Sequence, residues 1–331
     1  MKEKIKKYAF ILLLVLIQIW VSLFVWTHQP VNLFITLLFI LLWFILTVGF
    51  FYSIQKELKF KKIIKWTYWL SFLILLIIFF NMTPKNDRKW QDEVDKIIQF
   101  QFKNGKVEVE NIRNFVWYDK DQYRVQWETR QYDLEQLKSV DLIVSYFMKG
   151  PVAHVFISFG FENGEHLAFS LEVRQESHED FSVIGGFFRQ YELALVVGDE
   201  NDLIYARSNV RDEDVYLYPI HMNQTEIQML FLEYLNKANR LNHRPVWYNT
   251  LMSNCTTILF DLVEHAIGDI PRDYRVILPG LLPEYLYEVT PLRKSKSFVE
   301  WQRIAHINPK IKSIHNIEQV PSIEFSKTIR E

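Results

Sequence analysis

The chain holds a single cysteine, Cys255, in the stretch "YNTLMSNCTTILFDLVEHAIG". A lone thiol is a nucleophile, a small buried hydrophobe or half of an intermolecular link. Its neighbours point toward chemistry. Ser253 or Asn254 makes a good N-cap, and Ile258, Leu259, Leu262, Val263 and Ala266 follow at helical spacing. Cys255 is therefore expected in the first turn of a helix ended by Gly268. Unpaired N–H groups and the positive end of the helix dipole stabilise an anion there. In such a place, beside a histidine, a thiol pKa falls from about 8.5 to roughly 3.5–7.5.

A thiolate nucleophile needs a base, and the base needs an orienting group. The candidates are His154, His166, His178, His221, His243, His265, His306 and His315. His154 stands out because it opens an apolar strand, which puts its side chain at the rim of a sheet. The segment Val152–Arg174 reads as a hairpin, "VAHVFISFG" and "HLAFSLEVR" around "FENGE". With Asn163 at the centre of the turn, His154 faces Glu172 on the same side of the sheet. Glu172 could then accept the second ring N–H of His154, fix its tautomer and stabilise the imidazolium. His166 falls at the far end of the hairpin. His265 lies nearly three helical turns beyond Cys255, and His221, which follows a strand, is a weaker rival.

These residues must be carried by a fold, and the chain has two contrasting parts. Its first eighty or so residues are mostly apolar, and the rest has a mixed globular composition. Three apolar runs, Tyr8–Trp26, Val31–Ile54 and Ile63–Met82, are each long enough to cross a hydrocarbon core of roughly 30 Å. Lys2, Lys4, Lys6 and Lys7 precede the first run. Lys56, Lys59, Lys61, Lys62 and Lys65 cluster around the second connection, whereas Thr27–Pro30 carries no Lys or Arg. Lysine-rich segments stay cytoplasmic, so the N-terminus is expected inside and everything after the third span outside. The expected organisation is a three-helix anchor over 1–83 and an exported catalytic domain over 84–331. In a bacterium that places the domain in the periplasm, with the chain in the inner membrane. That compartment is oxidising, and Cys255 has no partner within its own chain.

The exported part reads as an α+β domain with a mainly antiparallel sheet. Asp87–Phe102 is expected to be helical, and Lys106–Tyr118 and Gln122–Tyr132 to be strands. After the hairpin come strands at "YELALVVG" and "VYLYPIHM". "TEIQMLFLEYLNKAN" is an amphipathic helix with a capping-box pattern at Thr225 and Gln228. Beyond Gly268, with Pro271, Pro279, Pro283 and Pro291, loops and short helices are expected. The net charge of -1 provides no basic field for nucleic acid, and none is expected as a partner. No metal motif, phosphate loop or dinucleotide fingerprint occurs, so no cofactor and no metal are expected.

Three blocks carry a resemblance: "AHVFISFGFENGEHLAFSLEVRQE", "FRQYELALVVGDENDLIYAR" and "YNTLMSNCTT". In this order and spacing, over roughly Asp87 to Thr290, the chain resembles the bacterial family named for the N-terminal periplasmic domain of the lipoprotein N-acyltransferase Lnb. More distantly, a strand His before Asn-Cys at a helix start is similar to the permuted papain-like thiol enzymes. The resemblance implies a papain-like thiol acyltransferase. In it Cys255 would attack an ester of a membrane phospholipid with His154 as base. The acyl chain would then pass to an amine, such as the N-terminus of a lipoprotein. In the named acyltransferase the spans are expected after the catalytic domain, whereas here they precede it.

Further roles follow from the chemistry. The oxyanion formed at the attacked carbonyl needs donors, for which the Cys255 N–H and the side chains of Asn254 and Asn249 are candidates. Asn254 reads equally well as the helix cap. Arg174, Arg189 and Arg207 lie in the matching blocks and could meet a phosphate headgroup, or could form structural ion pairs. Trp117, Trp127, Trp247 and Tyr248 could rest at a bilayer interface or pack in the core. Two other functions compete. One is a cysteine peptidase or amidase acting on cell-envelope peptide with the same residues, and the other is a non-catalytic envelope scaffold.

Overall fold

A computed structural model describes residues 1–29, 32–56, 59–289 and 296–331. The expected start of the second apolar run at Val31, Pro30 of the first connection and Pro291 lie outside the described residues. The chain divides into two units. One comprises Met1–Pro84 with Phe181–Tyr191, and the other Lys85–Asp180 with Glu192–Glu331.

In the first unit, α1 (Lys2–His28), α2 (Leu33–Gln55) and α3 (Lys61–Asn81) are all long and apolar enough to span a membrane. Their shared seam is aromatic. Tyr68 of α3 stacks on Phe50 and Trp43 of α2, with ring centroids 4.6 and 5.3 Å apart. Thr47 of α2 donates to Gln18 of α1 at 2.8 Å, a polar tie of the kind that holds helices together where lipid offers no hydrophobic drive. The segment Phe181–Tyr191, expected from the sequence to belong with the exported domain, groups with these helices. Phe188 packs against Phe24 and Trp20. Arg189 donates to the carbonyls of Phe79 and Phe80 at 2.8 and 3.3 Å, satisfying the end of α3.

The second unit is α+β around an eight-stranded sheet. Its strands are β1 (Gln99–Lys103), β2 (Lys106–Arg113), β5 (Trp127–Tyr132), β6 (Leu137–Tyr146), β7 (His154–Phe161), β8 (His166–Arg174), β9 (Glu192–Gly198) and β10 (Asp214–Ile220). A separate two-stranded ribbon joins β3 (Val116–Trp117) to β4 (Tyr123–Arg124). The strand order is β1-β2-β9-β8-β7-β6-β10, with β5 also on β2. All pairings are antiparallel except a single parallel bridge, Arg113 to Gly198.

The helix expected over 87–102 does not form. Only a single turn, Asp92–Val94, is helical, and Gln99–Lys103 is strand. The reason stands just beyond it. Asn104 and Gly105 both take positive φ, 53° and 79°, and Lys103 pairs with Lys106. That is a two-residue type I′ hairpin, whose Asn-Gly signature outweighs the helical spacing before it. β6 occupies a stretch for which no element was expected. The middle of the sheet therefore has one more strand, and that strand supplies the partner of β7.

α5 (Gln224–His243) and α6 (Cys255–Ile267) follow the sheet. The capping box of α5 is Asn223 with Glu226 rather than Thr225 with Gln228. Asn223 accepts from the Glu226 N–H at 3.0 Å, and the Glu226 carboxylate accepts from the Asn223 N–H at 2.8 Å. An Asn–Glu pair supplies a stronger acceptor on both sides than Thr–Gln, and starts the helix earlier. Phe159 and Phe169 on one face of the sheet meet Phe231 of α5 at 5.1 and 5.2 Å, edge to face. The C-terminal stretch forms α7 (Leu282–Val289), α8 (Phe298–Ala305), α9 (Asn308–Ile311) and α10 (Ser322–Thr328) with loops between them.

One buried polar knot ties β2, the ribbon and α4 (Glu200–Tyr205) together. Asp202 is fully buried and accepts four hydrogen bonds. Two come from Arg113 at 2.9 Å each, one from the Phe115 N–H at 2.8 Å and one from the Trp117 indole at 2.7 Å. This accounts for Trp117, which is core rather than bilayer contact. Asp202→Ala would take away the bidentate counter-charge of the buried Arg113 guanidinium and leave only Glu93, 3.5 Å away, a change costing about 3–5 kcal/mol. A thermal melt of the full chain should show a fall of several degrees, and an unchanged melting point would refute this account of the knot.

Candidate active site

The site begins with the first turn of α6. Asn254 is the N-cap, with its side-chain oxygen accepting from the Thr256 and Thr257 N–H groups at 3.0 and 2.9 Å. Its amide nitrogen donates to the Thr250 carbonyl at 2.9 Å. Thr257 completes the box by accepting from the Asn254 N–H at 3.0 Å. Asn249 is also engaged in shaping the turn, for its side-chain oxygen accepts from the Leu251 and Met252 N–H groups at 3.1 and 2.9 Å. Both asparagines named as oxyanion donors thus build the turn that presents Cys255. With Asn254 holding the second and third amides, the Cys255 N–H has no hydrogen-bond partner among the described residues.

His154 arrives from the sheet. The β7–β8 register pairs Ile157 with Phe169 and Gly160 with His166. Continued to the start of β7, the same register sets His154 opposite Glu172. The ladder stops at Ile157 and Phe169, so His154 and Glu172 stand at an unzipped end of the hairpin. There His154 Nε2 lies 2.7 Å from the Ser170 hydroxyl and 3.2 Å from Glu172 Oε1. Ser170 in turn donates to Glu172 Oε1 at 2.6 Å. With Nε2 occupied on this side, Nδ1 is the ring nitrogen left over, and the imidazole and the Cys255 thiol influence each other's ionisation. The Thr256 hydroxyl lies 3.9 Å from the sulfur.

The electrostatics follow from burial and from these partners. Burial pushes the Cys255 thiol up, but the hydrogen bond and charge of His154, helped by the Val155 N–H and Thr256, outweigh it and leave its pKa lowered. Burial and Arg207 both oppose a charged His154. The charge of Glu172 and hydrogen bonds to Cys255 and Glu172 overcome them, so the imidazole pKa is raised. Burial also works against ionised Glu172, yet His154, Arg207 and Ser170 hold its carboxyl well below the usual range. A lowered thiol beside a raised imidazole favours a thiolate–imidazolium pair.

Residues 123–280 match the family model of the Lnb N-terminal periplasmic domain. Cys255, His154, Ser170, Glu172 and Arg207 all fall inside the matched segment. Comparison of the chain with curated proteins and with solved structures returned no match.

Other residues of the matched segment are placed differently from the headgroup and interface readings. Arg207 is buried and points inward. It donates to Glu172 at 3.0 Å and to Glu213 at 3.2 Å. It sits in one π-helical turn, Ala206–Val210, where the helix after α4 is locally widened. Arg174 is also buried. It donates to the carbonyls of Val94 and Asp95 and to Asn86, and stacks over Trp90 at 4.4 Å. Trp127 packs against the core, and Trp247 lies under Arg88 at 5.9 Å. Tyr248 packs against the core as well. Its phenol is raised by burial and then by the nearby charges of Cys255 and Glu172. Of the rival histidines, His166 bonds the Gly164 carbonyl at 3.1 Å, His265 is largely exposed beside Glu233, and His221 is exposed.

Sequence reasoning did not find Ser170, though the signal was present. Ser170 is two residues from Glu172 on a strand, so alternation puts both on the face of His154. Glu213 and Ser145 had no such signal. They reach Arg207 through the fold, with the Ser145 hydroxyl bonded to the Glu213 carboxylate.

Proposed function

We propose that this protein is a membrane-anchored thiol acyltransferase that moves an acyl chain from phospholipid to an amine through Cys255. The observation that carries the reading is Cys255 in the first turn of α6 with its thiol pKa lowered by His154, whose imidazole is itself held by Ser170 and Glu172. The match to the Lnb N-terminal periplasmic domain favours lipid over peptide as the acyl source. Three apolar helices in the same chain would keep the site near lipid-embedded substrates, which raises their effective concentration.

The thiolate of Cys255 attacks the ester carbonyl carbon. The oxyanion is met by the Cys255 N–H at the positive end of α6. Collapse breaks the ester C–O bond, and the lysophospholipid alkoxide leaves with the proton of the His154 imidazolium. The acyl thioester remains on Cys255. An amine then attacks the thioester, His154 takes a proton from its nitrogen, and the thiolate leaves. The net change is ester plus amine to amide plus lysophospholipid, with the enzyme regenerated. The acceptor we favour is the free α-amine of a lipoprotein N-terminus. In this reading the chain lies in a bacterial inner membrane with its N-terminus cytoplasmic and the Lnb-type domain periplasmic.

The test is to incubate purified protein with labelled phospholipid and examine the intact mass. An acyl adduct on Cys255 that disappears on addition of an amine acceptor is expected. Absence of the adduct, with cleavage of cell-wall peptides instead, would replace this reading with the peptidase or amidase one. Absence of both would favour a scaffold.

A further inference from the structure

We propose that Arg207 is a positioning residue that acts on His154 through Glu172, and that Glu213 sets the strength of its effect. The proposal rests on the reading that Cys255 and His154 are the reacting pair. Four side chains form a line of alternating charge: Glu213, Arg207, Glu172 and His154. The contacts along it are 3.2 Å from Arg207 to Glu213, 3.0 Å from Arg207 to Glu172 and 3.2 Å from Glu172 to His154. Arg207 and Glu213 are both buried, so solvent screens their charges little.

The side-chain hydrogen bonds of Arg207 and Glu213 go to Glu172, Ser145 and each other, and neither residue is needed to fix the imidazole tautomer, because Ser170 and Glu172 already do that. What Arg207 adds is opposition. It keeps Glu172 ionised, yet its positive charge works against the imidazolium. Glu213 holds part of the guanidinium's charge for itself, and the Ser145 hydroxyl holds Glu213 in place. The line therefore tunes how long His154 keeps its proton as pH rises. The other charged or titratable groups within reach are Cys255 from α6, Arg113 from β2 and Tyr248 from the turn before α6. The variants below leave all three unchanged.

Opposite signs follow for the two ends of the line. Removing the Arg207 charge leaves Glu172 unopposed, so His154 should hold its proton to higher pH. Removing the Glu213 charge frees Arg207 to oppose the imidazolium more strongly, so His154 should lose its proton earlier. A purely structural role for either residue would loosen the site in the same direction in both variants.

The experiment uses the full chain in detergent micelles and measures carboxymethylation of Cys255 by iodoacetate against pH. Because Cys255 is the only cysteine, intact mass reads it without ambiguity. The anionic reagent reacts best with a thiolate beside an imidazolium, so the wild-type profile should be bell-shaped. Its rising limb reports the thiol and its falling limb reports His154. Arg207→Met should move the falling limb up by about one pH unit, and Glu213→Gln should move it down by about the same. Movement of both in one direction, or of neither by more than about 0.3 unit, would overturn the proposal. Should Arg207→Met fail to fold, the sign of the Glu213→Gln shift alone decides, since glutamine keeps the shape of glutamate. A wild-type profile with a single rise at an ordinary thiol pKa would instead overturn the pairing of Cys255 with His154, and the proposal with it.

Discussion

Cys255→Ala should lower phospholipid-dependent acyl transfer on the order of 10⁴-fold or more, with no acyl adduct at any time point. No other thiol exists in the chain to substitute. Losing the nucleophile removes both halves of the reaction, because the acceptor amine has no thioester to attack. Cys255→Ser should fail nearly as badly. A serine hydroxyl ionises far less readily than a thiol, so the charge pair with His154 would not form at neutral pH. Neither change should unfold the domain. The cap at Asn254 and the packing of Ile258, Leu259 and Leu262 stay intact. Lysophospholipid release measured by mass spectrometry, beside a thermal melt, separates lost chemistry from lost structure. A Cys255→Ala protein that keeps activity within tenfold of wild type would end the thiol mechanism.

His154→Ala should have the second largest effect, and its sign with pH can be worked out. In the wild type the thiol is lowered chiefly because His154 answers its burial. With the imidazole gone, burial acts against the thiolate with only the Val155 N–H and the Thr256 hydroxyl opposing it. The midpoint of Cys255 alkylation should rise to the ordinary value of about 8.5 or beyond. At pH 7 the alkylation rate should fall by about 10- to 100-fold, while transfer falls further because the leaving alkoxide also loses its proton donor. Activity in the wild type should occupy the window between the lowered thiol pKa and the raised imidazole pKa. It should decline below the first, where Cys255 is protonated, and above the second, where His154 is neutral. An alkylation midpoint unchanged by His154→Ala would break the link between the two residues.

The arrangement divides labour between rigid elements. α6 carries the proposed nucleophile at its N-terminus, the unzipped end of the β7–β8 hairpin carries the proposed base, and the widened turn after α4 brings Arg207 to Glu172. Each side chain is held by its own secondary structure rather than by a long loop, which suits a site in which a thiolate and an imidazolium must stay in register.

Much of this was legible in the chain. Lengths and lysine placement marked three apolar helices, because the bilayer imposes a minimum run of apolar residues that ordinary cores do not. The helix bearing Cys255 and its Gly268 stop could be read from local caps. The facing of His154 and Glu172 could be read from the hairpin, since strand register is set by the turn and by period-two alternation. Asn104–Gly105 was equally readable as a turn, and there a short-range rule outweighs helical spacing. What the sequence did not determine is everything that depends on pairing between distant segments. β6 becomes the neighbour of β7 only in the assembled sheet, and Phe181–Tyr191 joins the helices although it lies between two strands of the other unit. Arg207 changes from a candidate headgroup ligand into a buried partner of Glu172 and Glu213. A guanidinium carries the same charge and donors wherever it sits. Only the packing that excludes water around it decides whether those donors meet a phosphate or a carboxylate of its own chain.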